Sequence, residues 1–207
     1  MSTYIVAAVI GYLIGSLPAG YIAGRLAGVD VRAHGSGNVG ATNVVRVLGK
    51  RFGYPVLLID VGKGLAAVVV ARSVANTGTD KAATELAATV AGICAVLGHS
   101  FPAWLRFRGG KGVATSIGVV FGLMPIAAAI VCGVWLVTFE IGRYVSLASI
   151  VAAIALPISV AAMLFLHWLR TPVPLYFSLS VAALVVIRHR SNLSRLIKGT
   201  EPRFTRR

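Results

Sequence analysis

The stretch YIVAAVIGYLIGSLPAGYIAGRL (residues 4–26) is an apolar run of 23 residues whose one charged side chain is Arg25. About 20 apolar residues are enough for a helix to cross a bilayer. No basic segment precedes the run and no small-residue cleavage site follows it, so it is not typical of a secretory signal peptide. The run therefore predicts a permanent membrane-spanning helix.

Similar apolar runs continue along the chain, at about 54–76, 82–98, 112–141, 146–167 and 173–188. The 207 residues are 57% hydrophobic and 13% charged, and the mean hydropathy is +0.84. Soluble domains carry about 25% charged residues. We therefore predict an all-α polytopic membrane protein, with residues 1–207 forming a single integral membrane domain.

The distribution of Lys and Arg predicts the orientation of the chain. Neither residue precedes the first apolar run, whereas 28–53 carries four, 99–111 carries three and the tail from 188 carries seven. Cytoplasmic loops of membrane proteins are enriched in these residues. We therefore expect the N-terminus outside, the C-terminus in the cytoplasm and an odd number of crossings.

The number of crossings depends on the run 112–141, which Gly122 and Pro125 interrupt. If Pro125 marks a turn, the run forms two short helices, about 112–123 and 126–141. The chain then crosses seven times, which is the count we prefer. The alternative is five crossings.

Three polar segments separate the apolar runs. They are HGSGNVGATNVVRVLGKR (34–51), GHSFPAWLRFRGGKGVATS (98–116) and RHRSNLSRLIKGTEPRF (188–204), called here polar segments one, two and three. All three are expected on the cytoplasmic side, where they can build one site. The chain has 20 Lys and Arg but only 6 acidic residues. This excess indicates a membrane surface and phosphorylated ligands, because a soluble nucleic-acid-binding domain does not carry such apolar runs.

Polar segment one contains GSGNVG at 35–40, which matches the GxGxxG pattern of dinucleotide-binding folds. That pattern requires a preceding strand and a βαβ unit, and here an apolar span precedes it. The glycines still allow backbone N–H groups to approach an anion closely. No acidic residue occurs from 31 to 59, unlike in an ordinary solvated loop. The candidate ligand-binding residues of this segment are Gly35, Ser36, Gly37, Asn38, Gly40, Thr42, Asn43 and Arg46.

Polar segment two places Lys111 among Gly109, Gly110 and Gly112 at the start of an expected helix that also carries Thr115. The helix dipole, free N–H groups and the ammonium can converge there on a phosphate.

Within the apolar runs, Asp60 and Lys63 stand three residues apart on one helical face. A charge near the bilayer centre costs about 2.5–3.5 kcal/mol on insertion scales, so these two side chains are expected to pair.

Taken together, GSGNVGATN with Arg46, GHSFPAWLRFRGGKGVAT and the tail HRSNLSRLIKGTE (189–201) resemble the acyl-phosphate:glycerol-3-phosphate acyltransferase family, the PlsY-type enzymes of bacteria. The resemblance implies a seven-helix enzyme of the bacterial cytoplasmic membrane. It would move an acyl group from acyl phosphate to the sn-1 hydroxyl of glycerol 3-phosphate, giving lysophosphatidic acid and phosphate in the first step of phospholipid synthesis. It also implies a monomer in the lipid bilayer, with no metal, no organic cofactor and no nucleic-acid partner.

The resemblance also implies roles for individual residues. The catalytic set is Ser36, Arg46, Lys111, His189 and Asn192, and the supporting set is Asp60, Lys63 and Glu201. Acyl phosphate already carries a good leaving group, so the enzyme must mainly hold two phosphates, orient the hydroxyl and stabilise an oxyanion.

The base that accepts the hydroxyl proton is left open by the sequence. The HxxxxD pair of other acyltransferases is absent: Val39, Trp104, Pro172 and Ser194 follow the four histidines at the fifth position. Either His189 or the phosphate of acyl phosphate can take the proton, and we favour the phosphate.

The rival function is a transporter for a small organic phosphate. Against it, the apolar spans carry few polar residues beyond Asp60 and Lys63.

Overall fold

The computed structural model describes residues 1–75 and 80–204, and the regular structure within them is helical throughout. Contacts divide the chain into two compact units, Met1–Leu123 and Met124–Arg207. This confirms the all-α prediction. The prediction of a single domain over 1–207 stays a prediction.

Unit one is built around one long helix. Its helices are α1 (Ser2–Gly15), α2 (Ala19–Leu26), α3 (Ala41–Leu48), α4 (Lys50–Ala75), α5 (Lys81–Ser100) and α6 (Val113–Leu123). Helix α4 packs against α1, α3, α5 and α6, and α1 also packs along α5. Because α4 contacts both α3 and α6, it supports a helix within polar segment one and the helix that begins at the end of polar segment two.

Small residues allow the helices of unit one to approach closely. A Cβ atom added at Gly11 or Gly15 of α1 would overlap the backbone of Ala91 or Ala95 on α5. At Gly64 of α4, an added Cβ would overlap the carbonyl oxygen of Thr115 on α6. Close backbone contact through small residues is the usual way in which membrane helices associate, since lipid gives no hydrophobic drive between them.

Unit two contains α7 (Pro125–Gly142), α8 (Val145–Phe165), α9 (Val173–Arg188) and α10 (Arg190–Ile197). Helix α7 packs on α8, α8 packs on α9, and α10 contacts both α8 and α9. Proline occupies the first turn of α7 and of α9, where its missing N–H has no helical partner to lose. Helices α9 and α10 meet at His189 with a bend of 59°.

The helix boundaries correct the sequence prediction in three places. The expected single helix over 4–26 is broken at Ser16–Pro18, since Pro18 has no N–H to donate to Ile14. The second span begins at Lys50 rather than near 54. Helices α3 and α10 were not predicted, because an eight-residue helix in a polar segment is too short to show a clear period. A helix boundary falls at Pro125, as the count of seven requires, since α6 ends at Leu123 and α7 begins at Pro125.

Five helical stretches among the described residues are long and apolar enough to cross a membrane: Ser2–Leu26, Lys50–Ala75, Lys81–Leu105, Pro125–Gly142 and Val145–Phe165. Counting the bent pair Val173–Arg188 and Arg190–Ile197 as one span gives six. A seventh crossing needs α6, whose 11 residues extend about 16 Å at the usual helical rise. The count of seven and the orientation of the termini stay predictions.

Candidate functional site

The loop of polar segment one is held by the buried amide of Asn43. Its Oδ1 accepts a hydrogen bond from the Ser36 backbone N–H at 2.8 Å, and its Nδ2 donates to the carbonyls of Val31 at 2.9 Å and His34 at 3.2 Å. The loop also needs a positive φ at Gly35 (60°), which a residue without Cβ adopts without strain. The structure gives Asn43 a loop-shaping role, and its predicted contact with substrate stays a prediction.

The end of the same loop starts helix α3. Asn38 Oδ1 accepts a hydrogen bond from the N–H of Gly40 at 2.8 Å, and Gly40 caps the helix. Thr42 lies half-buried in the first turn, whereas Ser36 and Arg46 are exposed. Among residues 1–75 and 80–204, no hydrogen bond or ion pair to the Arg46 guanidinium is found. Arg46 therefore presents a guanidinium whose donors no described residue engages.

The neighbouring Arg32 differs from Arg46 in this respect. Its Nε and Nη2 both bond to the Asp30 carboxylate, with a shortest distance of 2.7 Å, and its guanidinium lies 4.7 Å from the ring centroid of Tyr21. The hydrogen bonds from Arg32 lower the pKa of Asp30 to about 2. Arg32 is thus committed within the protein, which leaves Arg46 as the better candidate for an external anion.

Polar segment two folds its glycines against the end of α5. The N–H of Gly109 donates to the carbonyl of Ser100 at 3.2 Å, and the N–H of Gly110 donates to the carbonyl of His99 at 3.0 Å. Gly112 then takes a φ of 84° and turns the chain into α6. Half-buried Lys111 therefore stands immediately before the N-terminus of a helix. The combination of ammonium and helix dipole favours a phosphate at this position.

Three buried hydroxyl groups surround the start of α6. The Oγ atoms of Ser100 and Ser116 and the Oγ1 atom of Thr115 have no hydrogen-bond partner in the described part of the chain. An added Cβ at Gly112 would lie 3.1 Å from Ser100 Oγ. Thr115 is fully enclosed, and its carbonyl oxygen faces Gly64. Its predicted contact with substrate stays a prediction.

Polar segments one and two are joined by an apolar cluster. Val39 of polar segment one and Val31, which lies just before that segment, pack with Leu105 of polar segment two, and all three are at most 5% exposed. This cluster fixes the glycine-rich loop of segment one beside the stretch that leads to Lys111. The structure thus brings together two of the three segments that the sequence places in one site.

A buried charge cluster lies beneath these loops. Lys63 Nζ is 2.7 Å from Asp60 Oδ1, which confirms the expected pair, and it is 2.9 Å from His99 Nδ1. With the α1–α2 break and the Val39 and Leu105 side chains, the cluster lines a small recess. His99 was not predicted as a member of this cluster. Its position inside an apolar helix is the signal that could have revealed it.

The third polar segment is organised by Glu201 in unit two. Its Oε1 accepts hydrogen bonds from Ser146 Oγ at 2.6 Å and Asn192 Nδ2 at 2.7 Å, and its Oε2 accepts from Arg195 Nε at 2.7 Å. Burial raises the pKa of the Glu201 carboxyl, but the three hydrogen bonds outweigh burial and leave the pKa below its usual value. Ser146 and Arg195 were not predicted, because this partnership depends on how α8 and α10 pack.

His189 stands at the bend between α9 and α10 and is 2% exposed. Its Nδ1 lies 2.8 Å from the carbonyl oxygen of Val185. A carbonyl can only accept a hydrogen bond, so Nδ1 carries a proton and Nε2 is the acceptor nitrogen of the neutral ring. Nε2 is therefore the atom of this side chain that can receive a proton.

The structure thus groups the candidate residues by unit. Unit one holds Ser36, Arg46, Lys111 and the charge cluster, while unit two holds His189, Asn192 and Glu201. Within the described ranges, no group of three or more His, Cys, Asp or Glu side chains has the arrangement of a metal site.

Comparisons with known proteins identify relatives of this chain. Residues 5–199 match the family model described as glycerol-3-phosphate acyltransferase. Two relatives of that name are similar along almost their whole length. The one from Synechococcus elongatus is 47% identical, covering 97% of this chain and 94% of its own. The one from Gloeobacter violaceus is 50% identical, covering 93% and 91%.

Two solved structures of PlsY, described as an integral membrane glycerol 3-phosphate acyltransferase, are also similar. The glycerol 3-phosphate form has a TM-score of 0.86 at 40% identity, covering 98% of this chain and 96% of its own. The lysophosphatidic acid form has a TM-score of 0.82 at 41% identity, covering 98% and 95%.

Proposed function

The chain belongs to the glycerol-3-phosphate acyltransferase family, and on that premise we propose that it acylates the sn-1 hydroxyl of glycerol 3-phosphate with acyl phosphate as the donor. The products are lysophosphatidic acid and inorganic phosphate. The reaction is the first step of bacterial phospholipid synthesis. We propose that neither a metal ion nor an organic cofactor takes part.

The observation that carries this proposal is a pair of cationic side chains in unit one. Arg46 has a guanidinium that no described residue engages, and Lys111 stands among glycines before α6. The packing of Val31 and Val39 with Leu105 joins their two segments. The reaction has two phosphorylated substrates, and charge-assisted hydrogen bonds contribute about 1.5–3 kcal/mol each.

The chemistry requires one bond to form and one to break. The sn-1 oxygen of glycerol 3-phosphate attacks the acyl carbonyl carbon, and the bond from that carbon to the phosphate oxygen breaks. The hydroxyl proton leaves with the phosphate, so the products balance without a covalent enzyme intermediate. We propose that the phosphate accepts this proton, while His189 Nε2 orients the hydroxyl. His189 as the base is the alternative.

The position of the enzyme in the cell is part of the same proposal. We propose a monomer in the bacterial cytoplasmic membrane that crosses it seven times, with the N-terminus outside and the site on the cytoplasmic side. The concentration of Lys and Arg in the three polar segments supports this orientation. Cytoplasmic placement also matches the charge of the substrates, which do not cross a bilayer unaided.

A single proteoliposome experiment separates this enzyme from a phosphate transporter. The purified protein is reconstituted and supplied with radiolabelled glycerol 3-phosphate, with and without palmitoyl phosphate. We expect label in chloroform-extractable lysophosphatidic acid only when palmitoyl phosphate is present. Label that accumulates unchanged in the vesicle lumen without palmitoyl phosphate would instead identify a transporter.

A further inference from the structure

Helix α10 turns an amphipathic face away from the rest of unit two. Leu193 is 41% exposed and Ile197 is 80% exposed, although both stand in a polar segment. They are four residues apart and therefore lie on the same side of the helix. Arg190 and Lys198 of the same stretch are also exposed. The outward face of α10 thus combines two large apolar side chains with two cations.

The opposite face of α10 is engaged within the protein. Asn192 is buried and its Nδ2 donates to Glu201 Oε1, while Arg195 Nε donates to Glu201 Oε2, both at 2.7 Å. Glu201 is also the only acidic residue from 188 to 204. The side chains of Arg190 and Lys198 make no hydrogen bond or ion pair with a described residue. The outward cations are therefore not neutralised by the described part of the chain.

The preceding helix brings α10 to a membrane surface under the proposed topology. Helix α9 has 16 residues and extends about 24 Å, against about 30 Å for the hydrocarbon core of a bilayer. At its end the chain bends by 59° into α10. The bend turns α10 out of the direction of α9, so that α10 lies closer to the membrane plane. Its eight residues include Arg190 and Arg195, which are costly inside hydrocarbon.

We propose that the outward face of α10 docks on anionic phospholipid headgroups of the cytoplasmic leaflet. Leu193 and Ile197 enter the boundary between headgroups and acyl chains, as in other interfacial amphipathic helices. Arg190 and Lys198 contact the lipid phosphates, because basic side chains beside an anionic leaflet are attracted to it. The apolar pair alone would accept any lipid. The two cations are the feature that selects an anionic lipid over a neutral one.

This docking connects membrane lipid with the candidate site. Helix α10 begins directly after His189 and buries Asn192 on its inner face. A lipid that holds the outer face therefore restricts the movement of the helix that carries these side chains. The role goes beyond the proposed acylation, which requires no particular lipid. We expect the folded protein to be more stable on an anionic surface than on a neutral one.

The test measures the melting temperature of the purified protein in neutral detergent micelles, to which phosphatidylglycerol, phosphatidylcholine or inorganic phosphate is added separately. A ligand that binds only the folded protein raises its melting temperature. We expect phosphatidylglycerol to raise it by about 5 °C more than phosphatidylcholine, as for two cations at an anionic surface. This difference is called the anionic gain.

Matched double variants locate the anionic gain on the molecule. Arg190→Gln with Lys198→Gln removes the two outward cations of α10. The control, Lys50→Gln with Arg51→Gln, removes an exposed lysine and an exposed arginine from polar segment one. Each gain is taken relative to the variant's own melting temperature without lipid. The α10 variant should lose most of the anionic gain, and the control should keep it.

Inorganic phosphate separates a lipid surface from a free phosphate. It should shift the melting temperature of wild type and of the α10 variant equally, since it offers no surface to Leu193 and Ile197. A phosphate shift that disappears in the α10 variant would assign the cations to a free phosphate and overturn the proposal.

Three further results would also overturn the proposal. They are anionic gains of equal size in the two double variants, equal effects of the two lipids on wild type, and no effect of either lipid. The last result would leave the face to a protein partner. Turnover of palmitoyl phosphate by wild type tests the proposed function separately, so failure of one is distinguishable from failure of the other.

Discussion

Arg46 is an exposed side chain of α3 that engages no described residue, and we propose that it binds a substrate phosphate. A guanidinium can donate to two phosphate oxygens at once, whereas an ammonium acts as a point charge. We therefore expect Arg46→Lys to lower kcat/KM by about tenfold or more although the charge is retained. Steady-state kinetics over a range of glycerol 3-phosphate and acyl phosphate concentrations measures the effect.

The matched control for Arg46 is Arg51, which is exposed on the following helix and is also without an ion pair among the described residues. Arg51→Lys should leave kcat/KM within about twofold of wild type, as for an exposed surface position. If Arg46→Lys behaves like Arg51→Lys, Arg46 is one more interfacial cation that follows the positive-inside rule.

Glu201 is expected to stabilise unit two rather than to react. Replacing it with Gln turns one acceptor oxygen into a donor that faces Ser146 and Asn192, or else Arg195. We expect Glu201→Gln to lower the free energy of unfolding by about 2 kcal/mol, as for a lost charge-assisted hydrogen bond. Thermal denaturation in detergent measures the loss. The control is Glu85→Gln, because Glu85 also pairs with a partly exposed arginine, Arg72.

The stability that Glu201 contributes depends on pH. Because its folded pKa lies below the ordinary value of 4.5, the contribution is complete above that value and is lost as pH falls through the folded pKa. The gap in melting temperature between wild type and Glu201→Gln should therefore be constant from pH 8 to 6 and close under acid conditions. A gap that widens on acidification would contradict the network.

At the scale of the elements, the contact between α4 and α6 is the closest test of packing. A Cβ at Gly64 would overlap the carbonyl oxygen of Thr115 and lie 3.0 Å from the N–H nitrogen of Val119. We expect Gly64→Ala to destabilise the protein by about 1–3 kcal/mol, the usual cost of overpacking. The melting temperature in detergent reports this loss.

Gly62 provides the control on the same helix. No atom lies within 4 Å of a Cβ built there. Gly62→Ala should be neutral or stabilising by about 1 kcal/mol, because Ala favours the helix over Gly. Equal melting temperatures for the two alanine variants would show that α4 and α6 do not approach as closely as described.

The elements also show how far the sequence predicts the fold. The apolar runs predict the long helices, and Pro125 correctly marks the end of α6 and the start of α7. The break at Ser16–Pro18 was missed because hydropathy does not change across it. Helices α3 and α10 were missed because their eight residues lie in segments whose polarity suggests loops.

For the candidate site, the sequence predicts which residues have the side chains needed to bind an anion. It does not predict which residues contact one another in the fold. Glycine, lysine and arginine patterns identify Arg46 and Lys111 from the sequence, because anion binding needs those residue types. The contacts of His99 with Lys63, 36 residues apart, and of Glu201 with Ser146, 55 residues apart, depend on tertiary packing. A single sequence does not specify such contacts.

At the scale of the whole molecule, the orientation in the membrane is open to direct measurement. In a variant with Cys94 and Cys132 replaced by alanine, single cysteines at Ser2 and Asp80 should react with an impermeant thiol reagent in intact cells. Cysteines at Arg108 and Lys198 should react only after permeabilisation. All four positions are exposed. The reverse pattern would place the polar segments outside and contradict the proposed cytoplasmic site.

The proposed reaction can be checked through the identity of the acyl donor. Purified protein in micelles is given radiolabelled glycerol 3-phosphate with palmitoyl phosphate or with palmitoyl coenzyme A, in the presence and absence of a chelator. We predict lysophosphatidic acid from palmitoyl phosphate alone, one inorganic phosphate released per product and no effect of the chelator. Turnover with palmitoyl coenzyme A but not palmitoyl phosphate, or loss of activity on chelation, would contradict the proposed reaction.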